Sequence, residues 1–194
     1  MTSKKLPKSA MSTRDRLMRA AIRIVARDGL AAATTAAIAK EAGVAEGTLY
    51  RHFESKDALL IAAYQQIKSE VFLSAASDAD QDAPPPERLK RTWLAIYRAY
   101  RADREAFLFG QRFMESALAA REGGEAARAV AEMAAELHKD GIASGDFKSL
   151  PTDLLTNLFL APISYLLKVE IKGRRWTDEE LDAAAEAVLA GWQE

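Results

Sequence analysis

Apolar residues along this chain fall into short stripes of helical period, separated by brief polar breaks. Leu17, Ala21, Ile24 and Val25 form the first stripe; Ser12 and Asp15 open it as a capping-box variant, and Gly29 ends it near Asp28. Ile38, Ala39 and Ala42 form a second, which Thr34 or Thr35 can cap and Gly43 can stop by taking the left-handed conformation. After Val44, Leu49 and Phe53 stand four apart on a third stripe. Two short helices joined at a glycine, braced by a helix before them, predict a helix-turn-helix unit. Ser55 opens a fourth helix, with Leu59, Leu60, Ala63, Ile67 and Val71 on its buried side.

The pattern continues to the end of the chain without a strand. SAASDADQDAPPP, from Ser74 to Pro86, reads as a break, because three prolines cannot continue a helix. Leu89, Trp93, Ile96, Tyr97 and Tyr100 predict a fifth helix, and Phe107, Phe109, Phe113, Met114 and Leu118 a sixth from about Arg104 to Ala120. Gly123 and Gly124 precede a seventh with Val130, Met133, Ala134 and Leu137. Pro151 suits the first turn of an eighth, apolar nearly all round to about Ile171, which Pro162 is expected to kink. Thr177 and Glu180 make a full capping box for a ninth. The fold class is all-α with about nine helices, in three parts: a basic tail over residues 1–11, a three-helix helix-turn-helix domain over 12–56, and a larger helical domain over 57–194.

Charge sharpens this division. Residues 1–56 hold 11 Lys and Arg against 5 Asp and Glu, whereas 57–194 hold 16 against 23. A basic segment that coincides with a helix-turn-helix points to a polyanion partner, double-stranded DNA. The outward residues of the third helix suit it: Thr48, Tyr50, Arg51, His52 and Lys56 offer hydroxyls, an imidazole and cations to phosphate oxygens. Glu46 and Gly47 open that helix, the end that enters a major groove. With 49% hydrophobic and 28% charged residues the chain is globular, and the absence of cysteine excludes disulfides, a zinc cluster of cysteines and a thiol switch. The start lacks the apolar core of a secretory signal, and no uninterrupted apolar run is long enough for a bilayer, so no membrane partner and a cytoplasmic location are expected.

The motif GTLYRHFESKDALL, with IAKEAGV just before it, resembles the DNA-binding domain of the TetR (tetracycline-repressor-like) family of bacterial transcriptional regulators. The match runs from about Thr13 to Leu60; beyond it only length and helical layout agree. The resemblance implies that Thr35, Thr48, Tyr50, His52 and Lys56 contact phosphates while Ala36, Glu46 and Gly47 face bases. Two positions depart from the common pattern: Ala45 replaces a capping serine, and Glu46 stands where a lysine or arginine is common. An acidic residue there can accept from cytosine N4 but repels phosphate.

No phosphate loop, nucleophile elbow, HExxH or paired CxxC is present, so neither an enzyme nor a cofactor is expected. Trp93, Tyr97, Tyr100, Phe113, Met114 and Tyr165, with Gln111 and Asn157 as polar partners, are candidates to line a site for a small, mostly apolar effector. His138 could meet a ligand, although a surface or helix-end role is more ordinary. The eighth and ninth helices carry more apolar surface than one partner can cover, so Leu155, Phe159, Ile163, Leu166, Leu181, Val188 and Trp192 are expected at a homodimer interface; the competing reading makes them a monomer core. The function expected is a homodimeric, ligand-responsive repressor of a palindromic operator. The alternative is a DNA-bound interaction protein docking a protein partner.

Overall fold

The computed structural model describes residues 11–78, 82–122, 132, 135–136 and 138–193, and every regular element among them is helical. The elements are α1 (Thr13–Asp28), α2 (Thr35–Ala42), α3 (Glu46–Tyr50), α4 (Lys56–Asp78), α5 (Pro85–Ala102), α6 (Arg104–Met114), α7 (138–143 of its described part), α8 (Thr152–Ile171) and α9 (Asp178–Ala190). Val130, Met133, Ala134 and Leu137, expected on the seventh helix, lie outside the described residues.

Local capping chemistry sets the helix ends. The Asp15 N–H donates to Ser12 Oγ at 3.1 Å, and the Ala37 N–H donates to Thr34 Oγ1 at 3.1 Å. Gly43 takes φ 69°, and the amides of Gly43 and Val44 donate to the carbonyls of Lys40 and Ala39, a paired closure that needs a left-handed residue. Ser55 caps α4 through the Ala58 N–H. Glu180 and Thr177 exchange both capping-box bonds, at 3.1 and 2.9 Å. The Thr177 N–H holds the Glu180 carboxylate below its usual pKa.

The break before α5 and the end of α6 differ from expectation. Of the three prolines only Pro84 lies in the break, as the N-cap of α5: Pro85 and Pro86 start that helix, where their missing N–H groups cost nothing, and the α4 backbone continues through Ser74 to Asp78. α6 stops at Met114, because the Ser116 hydroxyl donates to the Phe113 carbonyl at 2.6 Å and accepts from the Leu118 N–H, offering the backbone an alternative to the helical ladder. α8 runs on through Pro162. Its stretch Leu154–Ile171 is long and apolar enough to cross a membrane by length and composition, although Lys168 and Glu170 interrupt it.

The chain divides into two compact units, Met1–Ile67 with Arg104–Gly123 and Lys68–Asp103 with Gly124–Glu194. The first contains more than residues 12–56, since α6 packs along α1. The Arg112 guanidinium donates to the Val25 carbonyl, Arg121 pairs with Asp57 at 2.7 Å, and Tyr64 stacks on Phe113 with ring centroids 4.4 Å apart. In the second unit α5 packs on α8 and α9. There the Trp93 indole donates to the Phe159 carbonyl at 3.0 Å, and Lys90 pairs with Asp182 and Glu186. Trp192 meets Phe147, Phe159 and His138 edge-on. Gly141 lets Phe147 lie against the backbone; a Cβ would stand 1.9 Å from its ring.

Candidate nucleic-acid interface

α3 is held by two inward side chains, Leu49 and Phe53, both buried, with the amides of His52 and Phe53 donating to the Leu49 carbonyl. Everything between them turns outward. Tyr50 is 57% exposed; Glu46, Gly47, Arg51 and His52 are also exposed, while Thr48 and Lys56 are half-buried. Arg51 and His52 lie in the turn that closes α3, and Lys56 is the first residue of α4. On α2, Ala36 is exposed and Thr35 half-buried. The Thr35 hydroxyl donates to Glu46 Oε1 at 2.5 Å, which brings the first turns of α2 and α3 together. All nine predicted DNA-facing residues therefore lie in the first unit, on α2, on α3 and the turn that closes it, and at the start of α4.

The turn behind this face is fixed by residues whose sequence context does not mark them. Arg16 is no ordinary solvated charge: its guanidinium donates to the carbonyls of Ala42 and Gly43, at 2.6 and 3.2 Å, satisfying the C-terminal end of α2. Arg23 pairs with Glu41 at 3.0 Å, and the Arg14 guanidinium sits 4.9 Å over the Phe53 ring. These bonds tie α1 to the two shorter helices; at 26 residues of separation, no local motif marks Arg16 for its role.

The candidate effector residues are divided between the two units. Gln111, Phe113 and Met114 belong to the first unit, and Trp93, Tyr97, Tyr100, Asn157 and Tyr165 to the second. Trp93, Tyr97 and Phe113 are fully buried packing residues, with Trp93 and Tyr97 stacked at 6.1 Å, whereas Met114 and Tyr165 are 56% and 70% exposed. Asn157 is exposed too. Tyr100 is half-buried, and burial of its phenol pushes its pKa up to about 12. A cavity of about 420 Å³ in the second unit, largely open to solvent, is lined by Ala135, His138, Lys139, Ile142, Ala143 and Leu150. His138, which could meet a ligand or take a surface or helix-end role, is buried, its Nε2 3.4 Å from the Lys148 carbonyl.

The residues expected at a homodimer interface differ in exposure. Leu155, Phe159, Ile163, Leu181 and Trp192 are buried within one chain, so they cannot offer apolar area to a second copy; Leu166 and Val188 are half-buried. The side of α8 left open carries Leu154, Leu158 and Tyr165. An all-round apolar helix gives no sequence signal of which side its own chain covers.

The short α2 and α3, closed at Gly43 and braced by α1, define a helix-turn-helix protein. The family model of the tetR family of bacterial regulatory proteins matches residues 17–63 of the chain. It is 31% identical over 93 residues to the HTH-type transcriptional repressor KstR2 of Mycolicibacterium smegmatis, a match covering 48% of this chain and 45% of that protein. The chain spans less than half the length of the curated relatives it matches. Over the whole chain its fold is similar to a TetR family transcription regulator from Marinobacter aquaeolei, with TM-score 0.82, 27% identity, and 94% and 96% of the two chains covered. It is also similar in fold to the regulator FadR from Bacillus subtilis in complex with stearoyl-CoA, with TM-score 0.74, 22% identity, and 91% and 95% covered.

Proposed function

We propose that this chain is a transcriptional repressor that binds a palindromic operator as a homodimer and releases it on binding a small, mostly apolar effector. The observation that carries the reading is the outward face of α3: Tyr50, Arg51 and His52 stand exposed over buried Leu49 and Phe53, in a segment with a surplus of positive charge. Thr48, Tyr50, His52 and Lys56 take the phosphates in this reading, and Ala36, Glu46 and Gly47 the bases, with Thr35 beside Glu46. Arg51 adds charge beside them. Residues 12–56 are the DNA-reading domain, and 57–194 hold the effector site and the dimer contact.

Two heads are needed for two half-sites, and the open side of α8 with Leu154, Leu158 and Tyr165 supplies apolar area for pairing. For the effector, the cavity beside His138 has a volume within the usual range of small-molecule sites. Its apolar walls suit an acyl chain or similar group, in keeping with the acyl-CoA held by the Bacillus subtilis protein. An effector that binds the released state about 100-fold more tightly would weaken operator binding by about 2.7 kcal/mol.

Selection of bound duplexes from a genomic fragment pool, followed by fluorescence anisotropy over a salt series, tests the reading. One preferred palindromic sequence bound by a dimer, with affinity falling steeply as salt rises, is the expected result. A protein that stays monomeric and ignores every duplex in dilute buffer would overturn it.

A further inference from the structure

We infer that Thr35 and Glu46 act as one specificity unit, in which the Thr35 hydroxyl holds the Glu46 carboxylate ready to accept from a cytosine amino group in the major groove. This rests on the DNA-binding reading of the same face, and it gives Thr35 a role other than gripping a phosphate.

Thr35 Oγ1 lies 2.5 Å from Glu46 Oε1, a charge-assisted bond between the first residues of two helices. A threonine hydroxyl has a single proton. While that proton lies on Glu46, Thr35 offers only lone pairs outward, which do not attract a phosphate oxygen. Nor is Thr35 occupied in closing its own helix, because Thr34 caps α2. The bond orders a long, exposed carboxylate before any partner arrives.

An ionised carboxylate only accepts, so it seeks a donor. In the major groove the donors are the amino groups of cytosine and adenine. Adenine sets its N7 acceptor beside that amino group and would repel the carboxylate, whereas the cytosine edge presents N4 alone. Phosphates repel Glu46 from both walls of the groove, which leaves the base edges as its favourable place. The neighbouring Gly47 leaves room for such an approach. Its φ is not positive, and nothing lies within 4 Å of a Cβ built on it, so the packing of the chain itself does not call for a glycine there.

The test uses the full-length protein and duplexes selected from a random pool. Wild type, Thr35→Val, Thr35→Ser and Glu46→Gln are compared on the selected operator, on operators with each C·G pair replaced in turn, and on random duplex, after circular dichroism shows matched helicity. Thr35→Val is expected to reduce discrimination at one C·G pair by about tenfold, with binding to random duplex within about twofold of wild type. Thr35→Ser, which keeps the hydroxyl, is expected to restore that discrimination. Glu46→Gln is expected to move the preference at the same pair towards adenine, whose N6 and N7 suit an amide. Equal losses for Thr35→Val on every duplex would show a phosphate contact and overturn the inference, leaving the DNA-binding reading intact. An unchanged base preference in Glu46→Gln would do the same. A wild type that binds no duplex would overturn both.

Discussion

Lys56 begins α4, where a cation opposes the partial positive charge of the helix N-terminus. Its position thus does nothing for the helix, while it suits a phosphate. Lys56→Ala is expected to leave the unfolding free energy unchanged or raised by a few tenths of a kcal/mol. Binding should weaken on all sequences alike, and the slope of log affinity against log salt should shrink by about one. Anisotropy titrations at several salt concentrations, beside urea denaturation, measure both effects. Arg16 shows the limit of reading single residues: it looks like a solvated charge in the sequence, yet it closes the turn of the reading unit by reaching Ala42 and Gly43. The same holds for Thr35, whose bond to Glu46 depends on how two helices meet.

At the scale of elements, what was legible is what is local. The caps at Ser12, Thr34, Ser55 and Thr177 and the left-handed stop at Gly43 are written within a few residues of where they act. The early end of α6 depends on a rotamer of Ser116 that competes with the helix ladder, and spacing alone does not reveal it. The inward side of α8 was hidden because its apolar residues surround the axis. The two sides now make opposite predictions. Phe159→Ala, within the second unit, is expected to cost about 3–4 kcal/mol of stability by leaving a cavity. Leu158→Glu, at a position 51% exposed, is expected to leave the melting temperature of the chain nearly unchanged while converting dimer to monomer in analytical ultracentrifugation. The far end of α8 carries a further constraint. Glu170 is buried, with Arg101 Nε of α5 at 3.4 Å as its ion-pair partner. Arg101→Met would strand the carboxylate and cost about 2 kcal/mol, and adding Glu170→Leu should recover most of the loss in chemical denaturation.

For the whole molecule, pH offers a probe of folding that does not involve DNA. Burial favours the neutral phenol of Tyr100, so its folded pKa of about 12 stands above the ordinary value of 10.0. Its contribution to stability is complete below pH 10 and is lost as pH rises towards 12. Denaturation midpoints measured across that window should fall, and Tyr100→Phe should flatten the fall. The acidic balance of residues 57–194 has a separate effect, since it discourages the larger part of the chain from lying along a polyanion, in keeping with the proposal that the basic head binds DNA.

α3 has only five residues, too few to be helical by itself, and its shape comes from Leu49 and Phe53 beneath it. Gly47, Tyr50, Arg51 and His52 are therefore spectators to folding, and they can be exchanged one at a time without repairing the interior. A descendant of this chain could take up a new address on a chromosome through a few codon changes, keeping its architecture as it was.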